Sequence, residues 1–193
     1  DITMDANGTV YWSVPKKGVY RLESGKDSNP ELIVPKRGLN GLDVDPTAEY
    51  LFINRGKRIV RHKLMGRGMP LGEEELIYEF ADNSLGGADG CTFDAYGNFW
   101  LMHFRKGVIS VINPKTKDLV GQRFCGVEPA TNMAFCGPDL KDLMITAGAP
   151  KFKNCSILKM NLGIQGFGGH TGSTDYSMVK WLDLKVDSAK LNK

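Results

Sequence analysis

Alternation of apolar and polar residues runs through most of the chain and predicts short β-strands. One unit recurs four times: an apolar strand, a turn rich in Asp, Asn, Gly or Pro, an aromatic or aliphatic strand, a second turn and a third strand. The units begin with DITMDANGTVYWSV, GLDVDPTAEYLFIN, GCTFDAYGNFWLMH and NMAFCGPDLKDLMIT. No stretch has a convincing helical period, and LIYEF is interpreted as an outer strand.

The repeat length predicts the fold. Asp5, Asp45, Asp94 and Cys136 occupy equivalent places, about 40 to 50 residues apart. Repeats of that length with up to four strands are typical of an all-β protein, the β-propeller, in which each blade buries its faces against its neighbours.

We expect residues 1–193 to form a single propeller domain with about four four-stranded blades visible and a Gly-rich loop at 163–175. YSMVKWLDLKV in the tail predicts one more strand, which would close a ring by pairing with the N-terminal strand. Trp12 and Trp100 are expected at matching positions, packed between blades.

Composition excludes two classes of partner. The net charge of +3 is too balanced for a nucleic-acid or membrane-surface protein, and no apolar run is long enough to span a bilayer. The four cysteines form no C-x-x-C pair, so we expect free thiols. We expect a soluble protein whose compartment stays open, with the cytoplasm slightly favoured.

Polar residues precede the first strand in three successive units. They are Asn40, Asp89 within GGADG, and the pair Thr131–Asn132. Loops of this kind meet at one end of a propeller channel, so these side chains are expected to converge. Their oxygens are hard ligands that suit Ca²⁺ or Mg²⁺, and less strictly Mn²⁺ or Zn²⁺. The alternative, that each is a structural turn cap, stays equally open.

The three histidines have separate expectations. His103 ends a second strand, where it either faces the channel and contacts substrate or is a half-buried strand residue. His62 is expected on a solvated strand face, and His170 is expected to be solvent-exposed in the Gly-rich loop.

The stretches GLNGLDVD, GGADGCTFDAYGNFWLMH and EPATNMAFCG resemble the regucalcin/gluconolactonase family, also called the senescence marker protein family. The resemblance runs from about residue 1 to about residue 160. GGADG is also similar to the diisopropyl fluorophosphatases, which are related calcium propellers. The resemblance implies a six-bladed propeller whose axial cation is held by a Glu, one or two Asn and an Asp.

By that resemblance Asn40 matches a metal-binding Asn, and Asp89 matches the metal-binding Asp that is also proposed as base or nucleophile. Asn132 matches a position near the channel mouth. The family's Glu has no counterpart here, and its N-D motif would end at Asp1 without the Asn. We therefore expect the C-terminal part of a family member, with N-terminal blades missing or the ring closed by self-association.

Three functions remain open. The first is a divalent-metal-dependent hydrolase of the lactonase type, with Ca²⁺ as the expected cation, a lactone or related ester as substrate, and Asp89 as the catalytic residue. The second is a propeller that binds a small molecule or a protein without catalysis, which the incomplete ligand set favours. The third is organophosphate triester hydrolysis; Ala147 and Gly148 stand where the fluorophosphatases have a His.

Overall fold

The computed structural model describes residues 1–23, 29–82, 84–148 and 155–170, which form four antiparallel sheets. The first sheet contains β1 (Ile2–Met4), β2 (Val10–Val14), β3 (Gly18–Leu22) and β4 (Glu31–Val34). The second contains β5 (Leu39–Val44), β6 (Tyr50–Arg55), β7 (Arg58–Lys63) and β8 (Glu74–Glu79). The third contains β9 (Ala88–Phe93), β10 (Phe99–His103), β11 (Val108–Asn113) and β12 (Asp118–Phe124). The fourth contains β13 (Ala130–Cys136), β14 (Asp142–Ala147) and β15 (Ser156–Asn161).

Each sheet is a meander in chain order, and we call the four sheets blades 1 to 4. The first strands of successive blades contact one another, β1 with β5, β5 with β9 and β9 with β13, so they are the innermost strands. The predicted all-β propeller is thus confirmed, including the outer strand at LIYEF. The described residues contain no helix that could cross a membrane.

The hydrophobic core lies between blades. One cluster joins blades 1 and 2, a second joins blades 2 and 3 around Phe52, Phe93 and Phe99, and a third joins blades 3 and 4 around Trp100 and Phe135. Each fully buried side chain of this kind contributes roughly 1.5–3 kcal/mol. Because these contacts cross blade boundaries, the blades stabilise one another.

The turn that follows an inner strand is held by its aspartate. In blade 3, Asp94 is 1% exposed and accepts hydrogen bonds through Oδ1 from the amides of Tyr96 and Asn98. Its Oδ2 accepts from Trp100 Nε1 at 3.0 Å. The carboxylate therefore satisfies the turn and also fixes the aromatic ring on the next strand.

Blade 1 repeats this arrangement with a different aromatic residue. Asp5 Oδ2 accepts from the Tyr11 hydroxyl at 3.0 Å, so Tyr11 is the counterpart of Trp100. The predicted match between Trp12 and Trp100 is wrong by one residue. Because side chains alternate along a strand, that shift moves Trp12 to the other face, where it stacks on Tyr20.

Two histidine predictions are wrong. His62 is buried, with Nδ1 2.9 Å from the Gly72 carbonyl oxygen. His170 is partly buried, with Nε2 2.7 Å from the Asp45 carbonyl oxygen and its ring against Phe167. Each ring has a nitrogen within hydrogen-bond distance of a backbone carbonyl oxygen that is distant in the chain. The sequence pattern alone does not predict such contacts.

Residues 162–170 cross from blade 4 towards blade 2, and we call them the crossing segment. Its main chain bonds the main chain of blade 4 at Lys141 and Leu140, and that of blade 3 at Ala95 and Phe93. Its last described residue, His170, reaches Asp45 in blade 2. These contacts lie at the C-terminal ends of inner strands β5 and β9.

The four cysteines are free, as predicted. The Gly-rich loop predicted at 163–175 is described only to residue 170. The strand predicted in YSMVKWLDLKV lies outside the described residues.

Candidate functional site

A register shift marks the start of inner strand β5. Leu39 pairs with Arg55, and Leu42 pairs with Ile53, so Asn40 and Gly41 together lie opposite a single residue of β6. Two residues against one is the pattern of a β-bulge, which redirects a side chain at a sheet's end.

The inner strands of blades 3 and 4 shift at the same place. In β9, Ala88 pairs with His103 and Cys91 with Leu101, so Asp89 and Gly90 lie opposite Met102. In β13 the irregularity falls at Thr131, between Ala130 and Asn132. The predicted polar positions thus coincide with three successive bulges at one end of the inner strands.

The structure brings Asn40 and Asp89 together. Asn40 Nδ2 donates to Asp89 Oδ1 at 2.7 Å, across the boundary between blades 2 and 3. The residues are 49 positions apart in the chain, and the two bulges place them in direct contact.

The glycine after each polar residue is where the next blade approaches. An ideal Cβ on Gly41 would lie 2.7 Å from Asn54 Nδ2 and 3.1 Å from the Asp89 carbonyl carbon. An ideal Cβ on Gly90 would lie 2.7 Å from Asn132 Cα and would overlap the Asn132 amide. The N-G and D-G pairs therefore combine a candidate site residue with a glycine that leaves room for the neighbouring residues.

Asn132 and Thr131 lie next to this pair without a hydrogen bond to it. Asn132 Oδ1 accepts from the Met133 amide at 2.8 Å, and its Nδ2 is 3.3 Å from Asp1 Oδ1. Thr131 Oγ1 donates to the Thr146 carbonyl oxygen at 3.1 Å. The close fit against Gly90 places Asn132 one blade further around the axis.

His103 is not brought to Asn40 or Asp89 by any hydrogen bond within the described residues. Its ring is 2% exposed, packs edge-on against Phe80, and has Nε2 2.8 Å from Ser110 Oγ. Burial lowers the pKa of His103. Its surroundings are those of a buried strand residue, more enclosed than the half-buried position predicted.

A cavity of about 380 Å³ lies between the inner strands. Its polar lining consists of Asp1, Asp43, Thr92, Asn132 and Thr146; among the described residues no Lys, Arg or His lines it, and Asn40 and Asp89 lie outside the lining. Carboxylate, amide and hydroxyl oxygens thus face a space without a basic side chain, which favours a cation over an anion.

Asp43 is an axial carboxylate that the sequence patterns did not single out. Its Oδ1 accepts from Thr3 Oγ1 at 2.7 Å and from the Val44 amide at 2.9 Å. Burial raises its pKa to about 6, against the lowering effect of these bonds. The available signal was an acid between the buried residues Leu42 and Val44 on a strand that already carries Asn40.

Asp89 sits in a similar environment. Burial raises its pKa, and the hydrogen bond from Asn40 offsets part of that effect. It forms no ion pair with a Lys, Arg or His side chain of the described residues. The site thus holds a partly desolvated carboxylate that accepts a hydrogen bond from the Asn40 amide nitrogen, and such a carboxylate suits a hard cation or a proton.

No group of three or more His, Cys, Asp or Glu side chains that could hold a metal occurs in the described part of the chain. When asparagine is included, the candidate ligand set is the Asp89 carboxylate and the Asn40 amide. This is fewer than the six to eight oxygens that Ca²⁺ takes.

Comparison with known proteins gives one family. Its sequence profile, described as the SMP-30/gluconolactonase/LRE-like region, matches residues 2–149. A 6-deoxy-6-sulfogluconolactonase from Pseudomonas putida is 33% identical over 110 residues, which cover 56% of this chain and 37% of that enzyme.

Solved structures of similar fold include a luciferin-regenerating enzyme, with a TM-score of 0.74, 19% identity, and coverage of 89% of this chain and 64% of the other. Regucalcin from Agrobacterium tumefaciens, titled a calcium-binding protein, has a TM-score of 0.73 and 19% identity, with coverage of 88% and 62%. A gluconolactonase from Xanthomonas campestris has a TM-score of 0.66 and 18% identity, with coverage of 84% and 56%. The chain therefore spans less than two thirds of the length of these relatives.

Proposed function

The chain belongs to the SMP-30/gluconolactonase/LRE-like family, and we propose that it carries the axial site of a lactone hydrolase centred on Asn40 and Asp89. The observation that carries this proposal is the 2.7 Å contact between their side chains at the bulged ends of neighbouring inner strands. Relatives named as sulfogluconolactonase and gluconolactonase point to a sugar lactone or a related ester as substrate.

A divalent cation fits this site in part. Asp89 would supply a carboxylate oxygen and Asn40 its amide Oδ1, while Asn40 Nδ2 donates to Asp89; both oxygens are hard ligands that suit Ca²⁺, with Mg²⁺, Mn²⁺ and Zn²⁺ as alternatives. The similarity to a calcium-binding regucalcin supports Ca²⁺ as the first choice. A bound cation would supply Lewis-acid polarisation of the lactone carbonyl. Because two protein oxygens are too few, waters or further protein oxygens would complete its shell.

Asp89 is proposed as the general base. A positioned carboxylate can take the proton that an attacking water loses. Asn40 would hold the carboxylate in one orientation through its 2.7 Å bond. Water adds to the lactone carbonyl, the ring C–O bond breaks, and the proton passes to the leaving alkoxide, so a hydroxy acid results.

Asn132 and Thr131 are proposed to contact the substrate at the mouth of the site. Asn132 lines the cavity and has an amide suited to sugar hydroxyl groups. His103 receives no role, because its ring is buried against Ser110 and Phe80.

The test is hydrolysis of gluconolactone by the full chain, followed as acid release at constant pH. Asp89→Asn is expected to lower kcat by roughly 10²- to 10⁴-fold, the usual contribution of a general base. Asp118→Asn, on the exposed face of β12, is the matched control and should keep full activity. Full activity of Asp89→Asn would refute the assignment.

The cation is tested separately. Chelation with EDTA is expected to abolish turnover and added Ca²⁺ to restore it, whereas equal rates with and without EDTA would contradict a cation-dependent reaction.

The incomplete ligand set favours one alternative, a propeller that binds ligands without catalysis. Calorimetric titration with Ca²⁺ distinguishes the two, because binding without lactone turnover would support the alternative.

A further inference from the structure

Asn54 is a buried polar residue that links blades 2 and 3 directly behind the Asn40–Asp89 pair. It lies on β6 and is 0% exposed. Its Nδ2 donates to the Asp89 backbone carbonyl oxygen at 2.8 Å. Its Oδ1 is buried without a hydrogen-bond partner among the described residues.

The bulge in β5 explains how Asn54 reaches the next blade. Asn54 is the β6 residue opposite Asn40 and Gly41, since the flanking pairs are Leu39 with Arg55 and Leu42 with Ile53. Gly41 leaves room for the side chain, because an ideal Cβ there would lie 2.7 Å from Asn54 Nδ2. The amide therefore passes beside Gly41 and meets the main chain of Asp89.

We propose that Asn54 is a positioning residue, which fixes the Asp89 main chain against the β5 bulge so that the Asp89 carboxylate stays in contact with Asn40. The inference rests on the proposed function of that pair. Two hydrogen bonds then join Asp89 to blade 2: its carboxylate accepts from Asn40, and its carbonyl accepts from Asn54. Losing the second leaves the carboxylate held through one flexible side chain.

The unpartnered Oδ1 supports a functional reading of Asn54. A buried polar atom without a partner destabilises a fold, so stability alone would favour an apolar side chain of similar size here. Replacement by Leu removes this orphan acceptor but leaves the Asp89 carbonyl without its donor. These two effects oppose each other, so stability should change little while the position of Asp89 is lost.

Asn54→Leu in the full chain is the test, with Ile53→Val as the matched control. Ile53 is the preceding residue of β6 and is also 0% exposed. Asn54→Leu is expected to keep the thermal unfolding midpoint within about 3 °C of the wild type. Ca²⁺ affinity and kcat for gluconolactone should each fall by roughly 10- to 100-fold, the usual loss when a residue supporting a metal ligand is removed. KM should change little. Ile53→Val should change neither property.

Amide hydrogen exchange provides a measurement independent of calcium and activity. In Asn54→Leu, exchange in a peptide covering residues 88–93 should become at least about tenfold faster than in Ile53→Val, since the N-terminal end of β9 loses one of its hydrogen bonds to blade 2 and keeps, among the described residues, only those from Asn40 to Asp89 and from the Ala88 amide to Gly56. If the wild type neither hydrolyses lactone nor binds Ca²⁺, the proposed function fails, and this exchange still tests the hydrogen bond from Asn54.

Two results would overturn the inference. One is an Asn54→Leu variant whose affinity, kcat and exchange equal those of Ile53→Val. The other is a large fall of the unfolding midpoint with exchange raised throughout the chain, which would make Asn54 a structural residue only. Asn54→Ala, which removes the donor without adding bulk, serves if the Leu variant does not fold; exchange and affinity equal to the control would again reject the proposal.

Discussion

Gly41→Ala should damage the site and the fold together, because a methyl group has no room where blades 2 and 3 meet. The added Cβ would lie 2.7 Å from Asn54 Nδ2, 3.1 Å from the Asp89 carbonyl carbon, and closer still to the Asp89 carbonyl oxygen. Non-bonded carbon atoms pack at about 3.5–4.0 Å. The two blades would therefore have to separate by roughly 1 Å at this point.

The expected losses follow from that displacement. Overpacking of this kind costs about 1–3 kcal/mol, which lowers the unfolding midpoint by roughly 2–4 °C per kcal/mol in a chain of this size. A shift of about 1 Å in a reacting group lowers the rate on the order of 100-fold. Gly41→Ala should therefore lose about 100-fold in kcat/KM for gluconolactone, a larger effect than its loss of stability would suggest.

Gly121→Ala is the control for this experiment. Gly121 lies on β12, and nothing stands within 4 Å of the position that its Cβ would take. Thermal unfolding and lactone hydrolysis are measured on both variants, and Gly121→Ala should match the wild type or gain slightly in stability. If Gly41→Ala behaves like Gly121→Ala in both assays, the close approach of the blades does not control the site.

Two further predictions concern buried aspartates. The folded-state pKa of Asp43, raised to about 6 by burial, means that the folded protein binds more protons than the unfolded chain, so the free energy of unfolding should fall as pH rises from about 4 to about 6. Asp43→Asn keeps an acceptor for Thr3, so it should flatten this pH dependence and raise the free energy of unfolding by about 2–3 kcal/mol at pH 7. The measurement is urea unfolding in EDTA at several pH values, and a pH dependence equal to that of the wild type would disprove the prediction. Asp94→Ala removes the acceptor for Trp100 and for the turn amides, so it should cost at least about 3 kcal/mol. Asp118→Ala, at an exposed position, should change the free energy of unfolding by less than about 0.5 kcal/mol. Equal losses of stability in the two variants would contradict the role of Asp94 in holding its turn.

The blade architecture was predictable because it depends on a repeated local pattern. Alternating apolar residues, turn residues and the spacing of Asp5, Asp45 and Asp94 all describe one blade, and they recur. The error at Trp12 comes from the same source. A one-residue shift preserves strand propensity but reverses the face, and only the bond from Tyr11 to Asp5 identifies the true counterpart of Trp100.

The meeting of Asn40 with Asp89 was predictable from their equivalent positions in successive units, although both lie at the second position of β5 and β9 and not before these strands. What could not be predicted is the set of residues behind them. Asn54 stands in the apolar strand YLFINR, and its importance depends on a bulge in the neighbouring strand and on a carbonyl in another blade. Bulges interrupt the alternation from which strands are predicted, so a single sequence hides the geometry just where it forms the site.

The crossing segment gives the two ends of the inner strands unequal tolerance to substitution. At the end near Asp45 and Asp94, the segment bonds the blades chiefly through its own backbone, which most amino acids supply equally well. Two exceptions are Gly166, where a Cβ would overlap the Phe135 ring, and His170, whose ring lies 2.7 Å from the Asp45 carbonyl oxygen. At the opposite end, specific side chains join the blades, and Gly41 and Gly90 leave the space that their close contact needs. Sequence drift should therefore accumulate along the crossing segment, while a random mutational library should yield few active clones with changes at the bulged end.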